Sequence, residues 1–554
     1  MTVVVLNDAI KRESGRSVLQ GMIAAATAGA EIIRTTLGPR SMHKMLLDAA
    51  GSGIVVTNDG NSILRDLDVQ HPAAKAMVEL SRAQEEEAGD GTTSVIVLAA
   101  EMLRAAEPLV ALRAFHPSIV CRGFARALED SLGALESAAF SMDVEDHAAL
   151  QGIVRSCLGG KFTGALGDLV ADMAIDAVKT VAVDLGNGSK EIDVKKYVKI
   201  EKVAGGRLED SAVLRGVMIN KDVVAPGRMR RKITNPRVVL LDCPLEYKKG
   251  ENATNVEVME EEDWSILLKL EEEFVEEACK HILTLKPDLV ITEKGLSDLA
   301  CHHLSKAGVS AIRRVRKTDT NRIARACGAT IVNRPEELQE RHVGTGAGLF
   351  EVRKIGDEFF AFLIQCQEPR ACTVLLRGAS QDILNEVERN LHDAMCVVRN
   401  TIRDHGKMVA GGGACEMAVS AALKSKACSV EGIEQWAYRA AAQALEVIPR
   451  TLAQNCGVAM IRTMTELQAR HAEACEKREA CSFGIEGRSG KIADMREAGV
   501  WDAFGVKAQV IKSAIEAATM LLRIDDVVSG IKKKKERGAQ GPSDDAGDRE
   551  DIPE

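Results

Sequence analysis

The sequence of 554 residues is poor in aromatic side chains, since Phe, Tyr and Trp together make up only 3% of it. Proteins that bind RNA or single-stranded DNA stack bases on such side chains, so a surface of that kind would be hard to build here. Positive charge is not in excess either, because the formal net charge is −9. An acidic chain is a poor ligand for nucleic acid or anionic membrane, and we expect neither partner.

Long apolar runs are also missing, and none reaches the roughly 18 residues that a membrane-spanning helix needs. Residues 1–12 are short and mixed, without the pattern of a signal or transit peptide, and we therefore expect a cytoplasmic protein. No CxxC pair occurs among the 14 cysteines, which argues against a structural zinc site. Cys366 and Cys372 flank a turn-like segment that could bring them together, but a cytosolic setting favours free thiols.

What the sequence does contain is enough apolar material for several cores. Hydrophobic residues account for 46% of the chain and charged residues for 28%. These values are ordinary for a globular protein and exclude wholesale disorder. At the usual domain size, the length predicts roughly three or four domains.

The spacing of apolar residues divides the chain into three stretches. The first 145 or so residues and those after about 381 show helical spacing, whereas residues 237–332 alternate between strand-like and helix-like segments. One long helix in that centre is expected to place Leu267, Leu270, Phe274 and Ala278 on one face. The pattern predicts a multidomain α and α/β protein in which both ends fold together and the middle is inserted. We expect a disordered tail at 529–554.

Two segments that suggest a ligand site have simple structural explanations when taken alone. Residues 36–39 (Thr-Leu-Gly-Pro) read as a helix stop, and residues 58–60 (Asn-Asp-Gly) read as a turn. A third segment, with Gly411, Gly412 and Gly413 before a helix, allows close approach to a ligand or serves as a hinge. No Walker A motif is present, because Phe162 follows Gly159-Gly160-Lys161.

The fourth segment, Gly89-Asp-Gly-Thr-Thr-Ser94, has the character of a phosphate site. Its glycines let the backbone approach an anion, its hydroxyls can donate, and the helix that follows offers unpaired N–H groups. Asp90 would repel a phosphate directly, but it suits a Mg²⁺ ion that cancels charge on both sides. A helix cap followed by a loop is the alternative. Taken together, the four segments fit one composite site for a nucleoside triphosphate and its metal, formed where both ends of the chain meet.

In this order, the four segments resemble the nucleotide signatures of the group II chaperonins, and the likeness covers nearly the whole chain except the tail. Within that family the chain is similar to the eukaryotic cytosolic chaperonin, called TRiC or CCT. Further segments match one subunit type of that complex better than an archaeal homo-oligomeric relative, namely residues 11–16, 69–75, 217–222, 311–318 and 522–530.

The resemblance implies a three-domain subunit of the chaperonin fold. A helical equatorial ATPase domain would comprise 1–145 and 404–528, and a small intermediate domain 146–214 and 370–403. The α/β apical domain, 215–369, would bind clients and carry a helical protrusion that forms a built-in lid. The resemblance further implies ATP hydrolysis with ATP/ADP and Mg²⁺ as cofactors. It also implies a hetero-oligomeric double ring of chaperonin subunits and unfolded clients such as actin and tubulin.

The resemblance also assigns roles to individual residues. Asp90 matches the Mg²⁺ ligand, and Asp59 and Asp393 match the catalytic carboxylates, with Asp393 carried by the intermediate domain. Lys161 matches a lysine that senses the γ-phosphate, while Asp502 and Lys507 match the ribose and base end. The nucleotide contacts implied by the match are Leu37, Gly38, Pro39, Asn58, Gly60, Gly91, Thr92, Thr93, Ser94, Gly160, Lys161, Gly411, Gly412, Gly487, Asp502 and Lys507.

Some positions depart from the family pattern. Ser156 to Gly160 differ from the usual Thr-Ser pattern before Lys161, Arg40 stands where lysine is common, and Ala410 replaces a frequent proline. None of these changes removes a catalytic group. Two other hypotheses remain: a scaffold subunit that binds nucleotide without turnover, against which the three aspartates argue, and a free-standing metabolic ATPase or kinase, for which no small-substrate site is visible.

Overall fold

The computed structural model describes residues 12–47, 54–112, 115–161, 168–186, 190–246, 261–477 and 479–528. The predicted tail at 529–554 lies outside the described residues, as does the side chain of Leu267. No helix in the described ranges combines the length and the apolarity needed to cross a bilayer. Cys366 and Cys372 are free thiols, as predicted.

The N-terminal stretch is mainly helical, and its helices begin at residues that suit a helix start. Pro72 and Pro117 occupy first helical turns, where proline's missing N–H has no cost. The elements are β1 (Arg12–Ser14), α1 (Arg16–Arg34), β2 (Lys44–Leu47), β3 (Ile54–Thr57), α2 (Gly60–Asp66), α3 (Pro72–Glu87), α4 (Thr92–Ala111), α5 (Pro117–Ala138) and β4 (Phe140–Ser141).

Short helices and strands follow before the central α/β stretch. They are α6 (His147–Leu158), α7 (Asp168–Val181), β5 (Val183–Asp184), β6 (Lys190–Glu191), α8 (Val194–Tyr197), β7 (Val198–Ala204) and β8 (Ala212–Leu214). The central stretch consists of β9 (Gly216–Ile219), β10 (Lys232–Thr234), β11 (Val238–Leu241), α9 (Glu261–Thr284), β12 (Leu289–Thr292), α10 (Asp298–Lys306), β13 (Ser310–Ile312), α11 (Lys317–Cys327), β14 (Ile331–Val332), β15 (Leu349–Ile355) and β16 (Glu358–Ile364).

The rest of the described chain returns to helices. Its elements are β17 (Cys372–Gly378), α12 (Gln381–Arg403), β18 (Lys407–Ala410), α13 (Ala414–Ala427), α14 (Glu434–Leu445), α15 (Val447–Cys456), α16 (Met460–Lys477), β19 (Phe483–Ile485), β20 (Ile492–Asp494), β21 (Trp501–Ala503), α17 (Phe504–Leu522) and β22 (Asp526–Val528). β22 pairs antiparallel with β1, so the two ends of the described chain meet.

The central stretch contains the predicted parallel sheet. Its strands have the order β13-β12-β11-β14, and every pairing within it is parallel. β11 and β12 are buried at every position, as expected for strands covered on both faces. A second, antiparallel sheet has the order β10-β15-β16-β9.

Three large apolar cores organise the molecule. The first draws residues from both ends of the chain, and α1, α14 and α17 pack against its central helix α4. The second lies within residues 217–371 around the two central sheets. The third joins α6 and α7 to β17 and α12, and it includes Val506 of α17. The middle of the chain therefore has its own core, whereas the stretches before and after it together form the first core.

Three local predictions are wrong. In α9, Leu270 and Phe274 are more than half exposed, because the packed face consists of Val275, Cys279 and Ile282. Residues 58–60 do not form a free turn: Asp59 caps α2, and its carboxylate accepts hydrogen bonds from the first turn of that helix.

The helical spacing of residues 433–456 predicts one continuous helix, but the structure has two, α14 and α15, which meet at Glu446. Pro449 has no N–H to donate to the carbonyl of Leu445, and its ring crowds that carbonyl, which accounts for the break.

Candidate functional site

A cavity of about 590 Å³ lies where the first and third cores adjoin. Asp59, Asp90 and Asp393 all line it, together with segments from both ends of the chain. Of the residues singled out in the sequence, those on the cavity wall are Leu37, Gly38, Pro39, Asn58, Asp59, Asp90, Gly91, Thr92, Thr93, Ser94, Gly160, Lys161, Asp393, Gly412, Gly487, Asp502 and Lys507. Gly60 and Gly411 do not line the cavity and lie directly behind it.

The first turn of α4 faces this cavity. Gly91 precedes the helix with a φ of 79°, a left-handed conformation that favours glycine, and Val510 leaves no room for a Cβ there. α4 has 20 residues, and its unpaired N–H groups and positive dipole end form a ready anion site. The hydroxyls of Thr92, Thr93 and Ser94 add further donors.

Asp59 is held beside this helix start from two sides. Its carboxylate accepts from the N–H of Ser62 at 2.9 Å as the cap of α2, and from the hydroxyl of Thr92 at 3.2 Å. Gly60 lies under Thr93, whose Oγ1 would be 2.7 Å from a Cβ at position 60. Gly60 thus permits α2 and α4 to approach closely, which explains its place behind the wall.

Asp393 of α12 pairs with Lys161, which follows α6. Both side chains are largely buried. Burial would lower the pKa of the Lys161 ammonium, but contact with Asp393 outweighs this effect and holds the pKa well above its usual range. Burial raises the pKa of Asp393 well above its usual range, and the Lys161 ammonium opposes this effect. The pair joins two elements of the third core at the cavity wall.

The segment before Lys161 is fixed to the N-terminal stretch by side chains that donate to one of its backbone carbonyls. The carbonyl oxygen of Gly160 accepts from Asn58 Nδ2 at 2.9 Å and from Ser41 Oγ at 2.8 Å. Asn58 Oδ1 is buried and has no hydrogen-bond partner. An unpartnered buried acceptor on a cavity wall suits a bound ligand or water that donates a hydrogen bond to it.

At the other end of the cavity, Lys507 lies between two carboxylates. Its Nζ is 2.8 Å from Glu416 and 3.1 Å from Asp502. Burial would lower the pKa of Lys507, but Asp502 and Glu416 raise it well above its usual range. Gly411 donates its N–H to the carbonyl of Val500 at 2.9 Å, and this bond fixes the glycine segment beside Asp502.

A model of the TCP-1/cpn60 chaperonin family matches residues 30–532. The chain belongs to this chaperonin family. The family resemblance and the predicted fold class, a multidomain α and α/β chaperonin fold, are thereby confirmed.

Three relatives of this chaperonin chain have the name T-complex protein 1 subunit gamma. The one from Arabidopsis thaliana is 66% identical over 541 residues, which cover 98% of this chain and 96% of the relative. The human protein is 56% identical over 547 residues, with 98% of each chain covered. The protein of Thalassiosira weissflogii is 55% identical over 552 residues, 96% of this chain and 98% of the relative. In the sequence, five further segments resembled one subunit type of the cytosolic chaperonin. That type is the gamma subunit, in agreement with the names of these relatives.

Two acidic residues of the chaperonin site were not singled out from the sequence. Glu416 is almost wholly buried in the first turn of α13 and pairs with Lys507. Glu85, in the last turn of α3, lines the cavity. Burial, followed by the nearby charges of Asp59 and Asp90, raises the pKa of Glu85 to about 7. An acidic residue soon after the glycine run was the available signal for Glu416, whereas Glu85 sits among three consecutive glutamates that read as solvated.

This raised pKa predicts a pH-dependent stability. The folded chain favours neutral Glu85, so its stabilising contribution is complete below pH 4.5 and is lost as the pH rises through about 7. We expect the free energy of unfolding of Glu85→Gln, measured against that of the wild type, to be larger at pH 8 than at pH 5. Unfolding of the full-length chain without nucleotide or Mg²⁺ measures this. Glu86→Gln, at an exposed neighbour, is the control. An equal stability difference between Glu85→Gln and the wild type at both pH values would contradict the prediction.

The residues around Asp90 fit a Mg²⁺ ion. Among the described residues, no group of three or more His, Cys, Asp or Glu side chains is arranged to hold a metal by itself. Mg²⁺ is commonly bound by one or two carboxylates together with substrate phosphates and water. Asp90 next to the donor-rich start of α4 offers that combination. The carboxylates of Asp59 and Asp90 would repel a triphosphate unless a cation accompanied it.

Proposed function

We propose that this chain is an ATP-dependent molecular chaperone subunit that hydrolyses ATP within a hetero-oligomeric double ring. One observation carries the proposal: Asp59, Asp90 and Asp393 surround a single cavity that also receives the N-terminus of α4 and Lys161. Family membership and the relatives named T-complex protein 1 subunit gamma support it. The ring would act in the cytoplasm on unfolded clients such as actin and tubulin.

The phosphates of ATP would lie against the start of α4. Gly91, Thr92, Thr93 and Ser94 would bind them, and Lys161 would contact the γ-phosphate. Asp90 would hold Mg²⁺, which would supply positive charge that offsets the charge of the phosphates. At the opposite end, Asp502 and Lys507 would position the ribose and base.

Asp393 and Asp59 would orient the attacking water. Phosphoryl transfer depends mostly on positioning and electrostatic stabilisation. A carboxylate here would accept a proton from the water as the water oxygen bonds to the γ-phosphorus and the bond from that phosphorus to the leaving ADP breaks. The Lys161 ammonium acts against burial to lower the pKa of Asp393, which favours the ionised carboxylate that can accept that proton. Its contact with the γ-phosphate would bring the carboxylate to the reacting end of the nucleotide.

The three cores support the division into domains implied by the family. We place the equatorial domain at 1–145 and 404–528, the intermediate domain at 146–214 and 370–403, and the apical domain at 215–369. Asp393 would then belong to the intermediate domain, whereas the phosphate-binding helix belongs to the equatorial domain. Hydrolysis would require the two to close on each other, which would couple the chemistry to closure of the built-in lid.

Imaging of the assembled particle with a non-hydrolysable ATP analogue and Mg²⁺ tests this proposal. We expect a particle many times heavier than the 59.6 kDa chain, made of non-identical subunits. Analogue density in this subunit should lie between Gly38, Asp90 and Lys161. Native mass measurement of the same sample provides the composition. A stable monomer, or an analogue bound elsewhere on the chain, would exclude the assignment.

A further inference from the structure

The segment between α3 and α4, residues 88–91, carries Asp90 and is held by two buried amide side chains. Gln84 of α3 donates from Nε2 to the carbonyl oxygen of Asp90 at 2.9 Å. Asn400 of α12 donates from Nδ2 to the carbonyl oxygen of Ala88 at 2.7 Å. Gln84 is 0% and Asn400 6% exposed, so water cannot readily replace either bond. The main chain on both sides of Asp90 is thereby fixed.

The orientation of the Asn400 amide follows from its two partners. Its Oδ1 accepts from Nε and Nη2 of Arg399, each at 3.2 Å, which leaves Nδ2 directed at Ala88. Arg399 also donates from Nη2 to the carbonyl oxygen of Glu87 at 2.7 Å. Two consecutive residues of α12 therefore bind two consecutive carbonyls at the end of α3.

α12 also packs directly against this segment. A Cβ on Gly89 would lie 2.4 Å from both Cβ and Sγ of Cys396. Asp393, Cys396 and Asn400 are spaced by three and four residues, which places them along one face of the helix. The face that presents Asp393 to the cavity is thus the face that touches the Asp90 segment.

We propose that Asn400 is a positioning residue for the hydrolysis proposed above, because it fixes the Asp90 segment to α12. Asn400 lies near the end of α12, next to the proposed domain boundary at 403/404, so its bond to Ala88 would fix the point about which α12 moves relative to the Asp90 segment. Without the Asn400 donor, α12 can shift relative to Ala88, and Asp393 loses its alignment with phosphates held near Asp90. This inference rests on the proposed ATP hydrolysis and adds a residue that touches neither nucleotide nor metal.

Asn400→Asp removes the donated hydrogen bond. The substitution keeps the size and the contact with Arg399, but it adds a negative charge and places an acceptor opposite the carbonyl of Ala88. We expect kcat of the full-length chain to fall about tenfold or more, while its Kd for ATP changes by less than about twofold. The Mg²⁺ concentration for half-maximal hydrolysis should rise. Asn400→Ala, which removes the donor without opposing the carbonyl, should change the same quantities in the same direction if the first variant folds poorly.

Asn390→Ala is the matched control. Asn390 lies on the same helix and is 2% exposed, but its Nδ2 has no hydrogen-bond partner. We expect this variant to keep the wild-type kcat and Mg²⁺ dependence, whatever its effect on the unfolding temperature. Equal losses of kcat in the Asn390 and Asn400 variants would overturn the positioning role.

The wild-type protein separates failure of this inference from failure of the proposed function. If the wild-type chain shows no Mg²⁺-dependent hydrolysis in the assembled ring, the proposed function itself is refuted. If the wild type hydrolyses ATP and both Asn400 variants match its kcat and Mg²⁺ dependence, only the positioning role is refuted. A lower unfolding temperature with unchanged kinetics would likewise assign Asn400 a purely structural role.

Discussion

The Asp393→Asn protein is expected to bind ATP with nearly wild-type affinity and to hydrolyse it about a hundredfold or more slowly. The carboxylate that would accept the proton of the attacking water is lost, whereas the phosphate-binding start of α4 is untouched. The amide oxygen still offers Lys161 an acceptor. Asp393→Ala should show the same loss of turnover, but it leaves the Lys161 ammonium buried without its partner and should also lower stability.

Binding and single-turnover hydrolysis by the full-length chain measure this effect. Asp382→Asn is the control, because it removes an exposed carboxylate from the first turn of the same helix. We expect its turnover to be unchanged. Wild-type turnover in the Asp393→Asn protein would show that the proton acceptor lies elsewhere.

Asp90→Ala is expected to act one step earlier and to weaken the binding of Mg²⁺ with ATP. Asp90 lies beside the start of α4 and next to other carboxylates, so its removal takes away the group that would hold the cation. The affinity for ATP in the presence of Mg²⁺ should fall about tenfold or more, toward the affinity measured with a chelator.

Calorimetric titration of wild-type and variant chains, each with Mg²⁺ and with EDTA, tests this. Asp68→Ala removes an exposed acidic residue from the same part of the chain and should bind like the wild type. If Asp90→Ala retains the full gain in affinity on adding Mg²⁺, the metal is bound by other residues.

The architecture could be predicted from the sequence because its periods are long and consistent. Helical spacing at both ends and strand–helix alternation between them indicated an inserted α/β module, and the parallel order of β11 to β14 agrees with that pattern. The cavity could also be anticipated. Its glycine-rich segments permit close backbone approach, a local property that a sequence displays directly.

What sequence patterns missed depends on packing between distant elements. Apolar spacing allows more than one face for α9, and only its contact with the central sheets selects Val275 over Phe274. Glu85 and Asn400 have no local signature. Their significance comes from the approach of α12 to the end of α3, which lie about 300 positions apart.

The first core has a consequence for synthesis on the ribosome. α17, at the end of the described chain, packs against α4 and α5 near its beginning. The apolar faces of these early helices therefore await a partner that is translated last. The core within residues 217–371 is continuous in sequence and can form while the first core still lacks its C-terminal helices. The nascent chain therefore exposes apolar helix faces for most of its translation and would benefit from protection by other folding factors.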